Sequence, residues 1–102
     1  MSKSLQKIHH IAIEVADIQR SIDWYQEKFA CEIEYQDESW GLLKFENIKL
    51  ALVLPKQHPA HIAFSVSKSN ISGTLSEHRD GSQSQYQQDP DGNFIELLAT
   101  DT

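Results

Sequence analysis

A single cysteine, Cys31, occurs in the chain, so no internal disulfide can form. One free cysteine reads as a small core or strand residue and fits a reducing, cytoplasmic setting. Long apolar runs are also missing: none approaches the roughly 20 residues that span a bilayer. The opening stretch, Met1-Ser-Lys-Ser-Leu-Gln-Lys7, carries no apolar core behind its lysines. It is therefore not expected to be a secretory signal. Cations are the minority charge, with 9 Lys and Arg against 15 Asp and Glu and a net charge of −6. Such a surface repels phosphate backbones and excludes nucleic acid as the expected partner. No low-complexity tail is visible.

What is present is a chain of 102 residues with 39% hydrophobic content. That suits one compact domain or two small half-domains sharing a core. An internal repeat favours two halves. His10-Ile-Ala-Ile-Glu-Val15 returns as His61-Ile-Ala-Phe-Ser-Val66. Both runs alternate and are rich in apolar residues, which predicts strands. After the first, Ile18, Ile22, Tyr25 and Phe29 share one helical face, with Asp17 as N-cap. After the second, Ile71 and Leu75 predict a weaker helix interrupted by Gly73. Further strands are expected near 32–36, 41–46, 49–54, 83–87 and 93–99. Asp89-Pro-Asp-Gly92 is a turn between the last two. The expected order is βαβββ followed by a shortened βαββ or βαβββ. Module one covers about 7–55 and module two about 60–100, with Lys56-Gln-His-Pro59 between them.

Alternation sorts the strand faces. Ile11, Ile13 and Val15, then Ile62, Phe64 and Val66, then Leu50, Leu52 and Leu54, and finally Ile95 and Leu97 should lie under the helices. The opposite face carries His10, Ala12 and Glu14, then His61, Ala63 and Ser65, then Lys49, Ala51 and Val53, and lastly Glu96 and Leu98. Two histidines at matched repeat positions thus share a face with one glutamate, beside small alanines that leave room.

Two imidazoles and one carboxylate with open positions suit Zn, Ni, Mn or Fe(II). The competing reading is that each strand histidine is a hydrogen-bonded structural residue. His9 is expected on the helix side or at the strand's start, His58 solvated in the linker, and His78 at the end of the second helix. Glu14 reads as a surface group, Trp24 and Tyr25 as core or interface, and Trp40 and Tyr86 as candidates for a pocket mouth.

At His10–Tyr25, His61–Val66 and Asp89–Leu97 the chain resembles the vicinal oxygen chelate superfamily. That group includes glyoxalase I, methylmalonyl-CoA epimerase, extradiol dioxygenases and bleomycin-resistance proteins. The resemblance implies an α+β fold: two βαβββ modules, the second shortened, form a cupped mixed sheet with helices on its outer face. It implies a divalent metal held by His10, His61 and Glu96, with Glu96 also the candidate catalytic residue. The family's fourth ligand position matches Ala51, which cannot bind a metal. The implied function is a metal-dependent lyase or isomerase acting on a small oxygen-chelating substrate. Two alternatives follow: an Fe(II) dioxygenase-like enzyme with a two-His-one-Glu site, and a non-catalytic, bleomycin-resistance-like binder. A homodimer is the implied assembly.

Overall fold

The computed structural model of the protein describes residues 5–78 and 81–100. Its first half runs β1 (Ile8–Glu14), α1 (Ile18–Lys28), β2 (Glu32–Gln36), β3 (Trp40–Lys44) and β4 (Lys49–Val53). The second runs β5 (His61–Val66), β6 (Ser76–Glu77), β7 (Gln83–Gln88) and β8 (Phe94–Ala99). All eight strands join one mixed sheet in the order β2-β3-β4-β1-β5-β8-β7-β6. The halves repeat the same internal order, with β1 parallel to β4 and β5 parallel to β8. They meet where β1 runs antiparallel to β5, within one chain. The α+β fold read from the sequence is the fold observed.

Helix α1 starts where expected, because the Asp17 side chain accepts the Arg20 backbone N–H at 2.9 Å. That bond satisfies one of the donors that a helix start leaves open. Its buried residues, Ile18 and Ile22, pack on Leu43 and Leu52 of the sheet. Each such side chain stabilises the fold by about 1.5–3 kcal/mol on burial. The helix ends at Lys28, and Phe29 is extended (φ −137°, ψ 148°) and 51% exposed. Phe29 therefore does not join the buried helical face: the helix stops one residue too soon.

No second helix forms among the described residues. The chain after β5 makes a single 3₁₀ turn, Lys68–Asn70, and then runs to the two-residue strand β6. The connection must also supply a strand, and Gly73 takes a positive φ of 91° that helices do not use. The Gln85 amide donates to the carbonyls of Ser72 and Thr74, pinning the connection against β7. The outer face of the second half consequently lacks a helical cover. Ile11 and Ile62, paired across the seam, are 38% and 37% exposed rather than buried under helices. Leu50, Leu52, Leu54, Ile13 and Val15 do pack on the α1 side, as alternation predicts. On the other face, Ala12, Leu42, Ala51 and Val53 form a second cluster with Tyr35 and Trp40. That face lines the cup.

Candidate metal centre

Strand register brings the three candidate ligands to the seam between the halves. His10 lies opposite Ala63, which lies opposite Glu96 on β8, while His61 lies opposite Ala12. The alanines keep the space over the seam open, so three longer side chains converge above them. His10 Nε2 is 3.1 Å and His61 Nε2 3.0 Å from Glu96 Oε1. The two Nε2 atoms are 3.3 Å apart. All three residues are buried, at 9%, 7% and 4% exposure.

The hydrogen bonds behind these atoms decide which nitrogens face the cluster. His61 Nδ1 lies 2.7 Å from the Pro59 carbonyl, which can only accept, so Nδ1 carries the proton. In a neutral ring Nε2 then presents a lone pair to Glu96 Oε1, itself only an acceptor when ionised. His10 Nδ1 is 2.8 Å from His9 Nδ1, a contact that needs one proton between them. Burial alone would raise the Glu96 carboxyl, but contacts with His10, His61, His78 and Ser84 outweigh it and hold the group below its ordinary range. A buried carboxylate facing two inward nitrogens needs a shared proton or a cation.

A divalent ion fits this donor set. Donors bonded at about 2.1 Å, at angles between octahedral and tetrahedral, lie about 3.0–3.4 Å apart. The separations of 3.0, 3.1 and 3.3 Å fall in that range. The backing of His61 by a carbonyl is the arrangement that fixes ring orientation in metal-binding histidines.

The cluster opens into a cavity of about 520 Å³. All five histidines of the chain line it, which corrects the expectations for His58 and His78 and leaves His9 at the start of its strand rather than on the helix side. His9 does not go to the helix side, because the β1–β5 register shifts between Ile8 and His10 and breaks the alternation there. Its ring meets His10 edge-on, and burial, then His10, lowers its pKa. His58 faces the His78 ring at 6.2 Å instead of lying free in solvent. His78 ends no helix; its Nε2 is 2.6 Å from Ser84 Oγ and 3.3 Å from Glu96 Oε2.

Trp40 and Tyr86 line the cavity as expected. Tyr86 meets the His61 ring edge-on at 5.0 Å, and burial and the Glu96 charge raise its pKa, keeping the phenol neutral. Trp40 stacks on Tyr35 at 4.5 Å. Asp37 fixes that pair by accepting from the Tyr35 hydroxyl at 2.7 Å and the Trp40 backbone N–H at 3.0 Å. Ala51 lies in the apolar floor beside Ala12 and Leu42, where no carboxylate stands. Glu14 is exposed and outside the cavity, as its surface reading requires. Trp24 is half exposed, while Tyr25 packs against the α1 core.

Residues 7–97 match the family model of the Glyoxalase/Bleomycin resistance protein/Dioxygenase superfamily. The chain belongs to that superfamily. A relative, the metallothiol transferase FosB of Lysinibacillus sphaericus, is 26% identical over 92% of this chain and 82% of its own. The methylmalonyl-CoA epimerase of Mycobacterium tuberculosis superposes with a TM-score of 0.74 at 19% identity, covering 100% of this chain and 93% of that one. A hypothetical protein from Bacillus halodurans gives 0.75 at 16% identity, covering 97% of each chain. At these identities the structural likenesses establish the glyoxalase fold. No helix among the described residues is long and apolar enough to cross a membrane.

Ser84 was not singled out by sequence reasoning. Alternation along 83–87 puts it on the same face as Tyr86, but only the pairing of β7 with β8 shows that this face looks at Glu96.

Proposed function

We propose that this glyoxalase-superfamily protein is a divalent-metal-dependent enzyme acting on a small substrate with two neighbouring oxygen donors. The observation that carries this reading is the convergence of His10, His61 and Glu96 on one point of a cavity sized for a small molecule. These three residues would hold the ion. When bound, the ion supplies Lewis-acid polarisation of a substrate oxygen and stabilises developing negative charge.

The chain's own residues do the rest. Pro59 and His9 orient the two imidazoles. The alanine floor admits the substrate close to the ligands. Tyr86 stays a neutral phenol beside His61, able to donate a hydrogen bond to a substrate oxygen. Epimerisation needs a base on each side of one carbon, and Ala51 itself supplies none, while Glu34 on that side of the cavity is paired with Lys49. Lyase, isomerase or group-transfer chemistry makes fewer demands on the protein, since one proton-transfer group or none is enough. The name of the Lysinibacillus relative, a metallothiol transferase, points to the group-transfer end of this range.

The same donor trio is the facial set of non-haem iron, which keeps an Fe(II), oxygen-using enzyme as a second reading. A binder without catalysis is favoured only by the apolar floor at Ala51. Elemental analysis of untagged protein, with a His10→Ala/His61→Ala variant alongside, tests the proposal. About one ion per chain in the wild type and none in the variant is the expected result. Iron would select the oxygen-using reading. No uptake of any candidate ion by folded wild type would leave the binder.

A further inference from the structure

The two oxygens of Glu96 have different neighbours. Oε1 faces His10 and His61. Oε2 accepts the Ser84 hydroxyl at 2.6 Å, and His78 Nε2 lies 3.3 Å away. Ser84 is fully buried. Its single hydroxyl proton goes to Glu96, so its 2.6 Å contact with His78 Nε2 runs the other way, with the imidazole N–H donating. A directed chain results, from His78 to Ser84 to Glu96 Oε2.

A metal-binding carboxylate can use one oxygen or both, and rotation about its last torsion, which is soft, interconverts the two modes. The Ser84 hydroxyl on Oε2, itself held by the His78 N–H, opposes that rotation. We propose that Ser84 and His78 are positioning residues that hold Glu96 as a one-oxygen ligand, keeping free the coordination positions that a two-oxygen substrate occupies. This inference rests on the metal-site reading above. An ion with about six positions, three of them filled by protein, retains room for a chelating substrate and water. A two-oxygen Glu96 would take one position away.

The test uses Co(II) as probe, because its visible absorption reports coordination number and geometry. The full chain, Ser84→Ala and His78→Phe are titrated with Co(II), and thermal melts confirm that each variant is folded. Ser84→Ala is expected to weaken Co(II) binding about 10–100-fold, the usual effect of losing a group that orients a ligand. Its Co(II) spectrum should change in band position and intensity as Glu96 turns. His78→Phe should shift both in the same direction by less, because His78 acts on Oε2 through Ser84. A Ser84→Ala protein with wild-type affinity and spectrum would overturn the proposal. Weaker binding with an unchanged spectrum would also overturn it, since Ser84 would then not control how Glu96 binds. A silent His78→Phe would remove His78 from the device. Wild type that takes up no Co(II) would sink the metal-site reading itself, and this inference with it.

Discussion

Pro59 decides which nitrogen of His61 faces Glu96. Its carbonyl accepts from Nδ1–H at an N···O distance of 2.7 Å, and Nε2 is left to meet the carboxylate at 3.0 Å. Proline has no amide hydrogen to spend, but its carbonyl is an ordinary acceptor, and its ring restricts the backbone two residues before the ligand. The orientation of His61 is thus built into the linker between the two halves.

A cluster of this kind should couple metal binding to stability. An ion that binds only the folded chain stabilises it by about 2.7 kcal/mol at a concentration 100 times its Kd. Adding Zn(II), Ni(II), Mn(II) or Fe(II) should raise the Tm of the wild type for at least one ion. A chelator should reverse the shift. The His10→Ala/His61→Ala protein should show no such response while remaining folded. Calorimetry with and without metal makes the comparison. Equal shifts in both proteins would place the ion elsewhere.

The proposed metal site can be tested at Ala51, which the family resemblance matches to a fourth ligand position. Ala51 is 3% exposed and sits opposite Ala12, beside the strand that carries His10. Ala51→Asp would bring a carboxylate to the apolar floor. In the metal-free protein that buried charge lacks a partner, and stability should fall by at least about 1–3 kcal/mol. With metal bound the carboxylate gains a ligand role, and affinity should rise about tenfold or more. Competition titration against a coloured chelator measures the affinity, and melts measure the cost. Unchanged affinity in a folded variant would mean that Ala51 does not look at the ion.

Much of this was legible in the sequence because it follows from strand periodicity. The repeat at His10 and His61, the cap at Asp17 and the inward turn of Glu96 all need only the alternation of a strand or the first turn of a helix. What alternation cannot show is where it breaks. The register shift beside Ile8 turns His9 into the cup. The second helix failed because the segment after Val66 also had to form β6 and turn at Gly73, and a weak apolar spacing at Ile71 and Leu75 could not outweigh that. His78 and Ser84 escaped for a third reason. Their meeting with Glu96 depends on pairing between strands, which periodicity along one strand does not contain.

The turn between β2 and β3 should respond to acid in a defined direction. Burial pushes the Asp37 carboxyl up, but hydrogen bonds from Tyr35, Ser39 and Trp40 outweigh it and bring the pKa from 3.8 to about 2. A carboxyl depressed in the folded state adds stability above its unfolded pKa and loses it as pH falls through the folded value. The Asp37 contribution is therefore complete above about pH 5, falls progressively below it, is mostly lost by about pH 2 and is gone only near pH 1. Solvent screens this rim position, so the effect will be modest. The Tm difference between wild type and Asp37→Asn, followed from pH 5 down to pH 2, should be largest at pH 5 and shrink toward zero. A difference that grows on acidification would contradict the assignment.

The last prediction separates the support of the sheet from the site it carries. Gly41 lies under α1, where an added Cβ would stand 3.0 Å from the Cδ1 of Ile22. Gly41→Ala should therefore overpack the helix–sheet contact and cost about 1–3 kcal/mol. The offending atom is the end of a side chain, so Ile22→Val removes the clash together with some buried surface, at about 0.5–1.5 kcal/mol. In the Ile22→Val background, Gly41→Ala should cost less than it does alone, a coupling that denaturant melts of the four proteins will resolve. Metal affinity should stay within about twofold throughout, because this contact lies on the face of the sheet away from His10, His61 and Glu96. Additive costs would show that α1 moves to accommodate the methyl group. A parallel loss of metal affinity would show that the helix side sets the ligand geometry through the sheet.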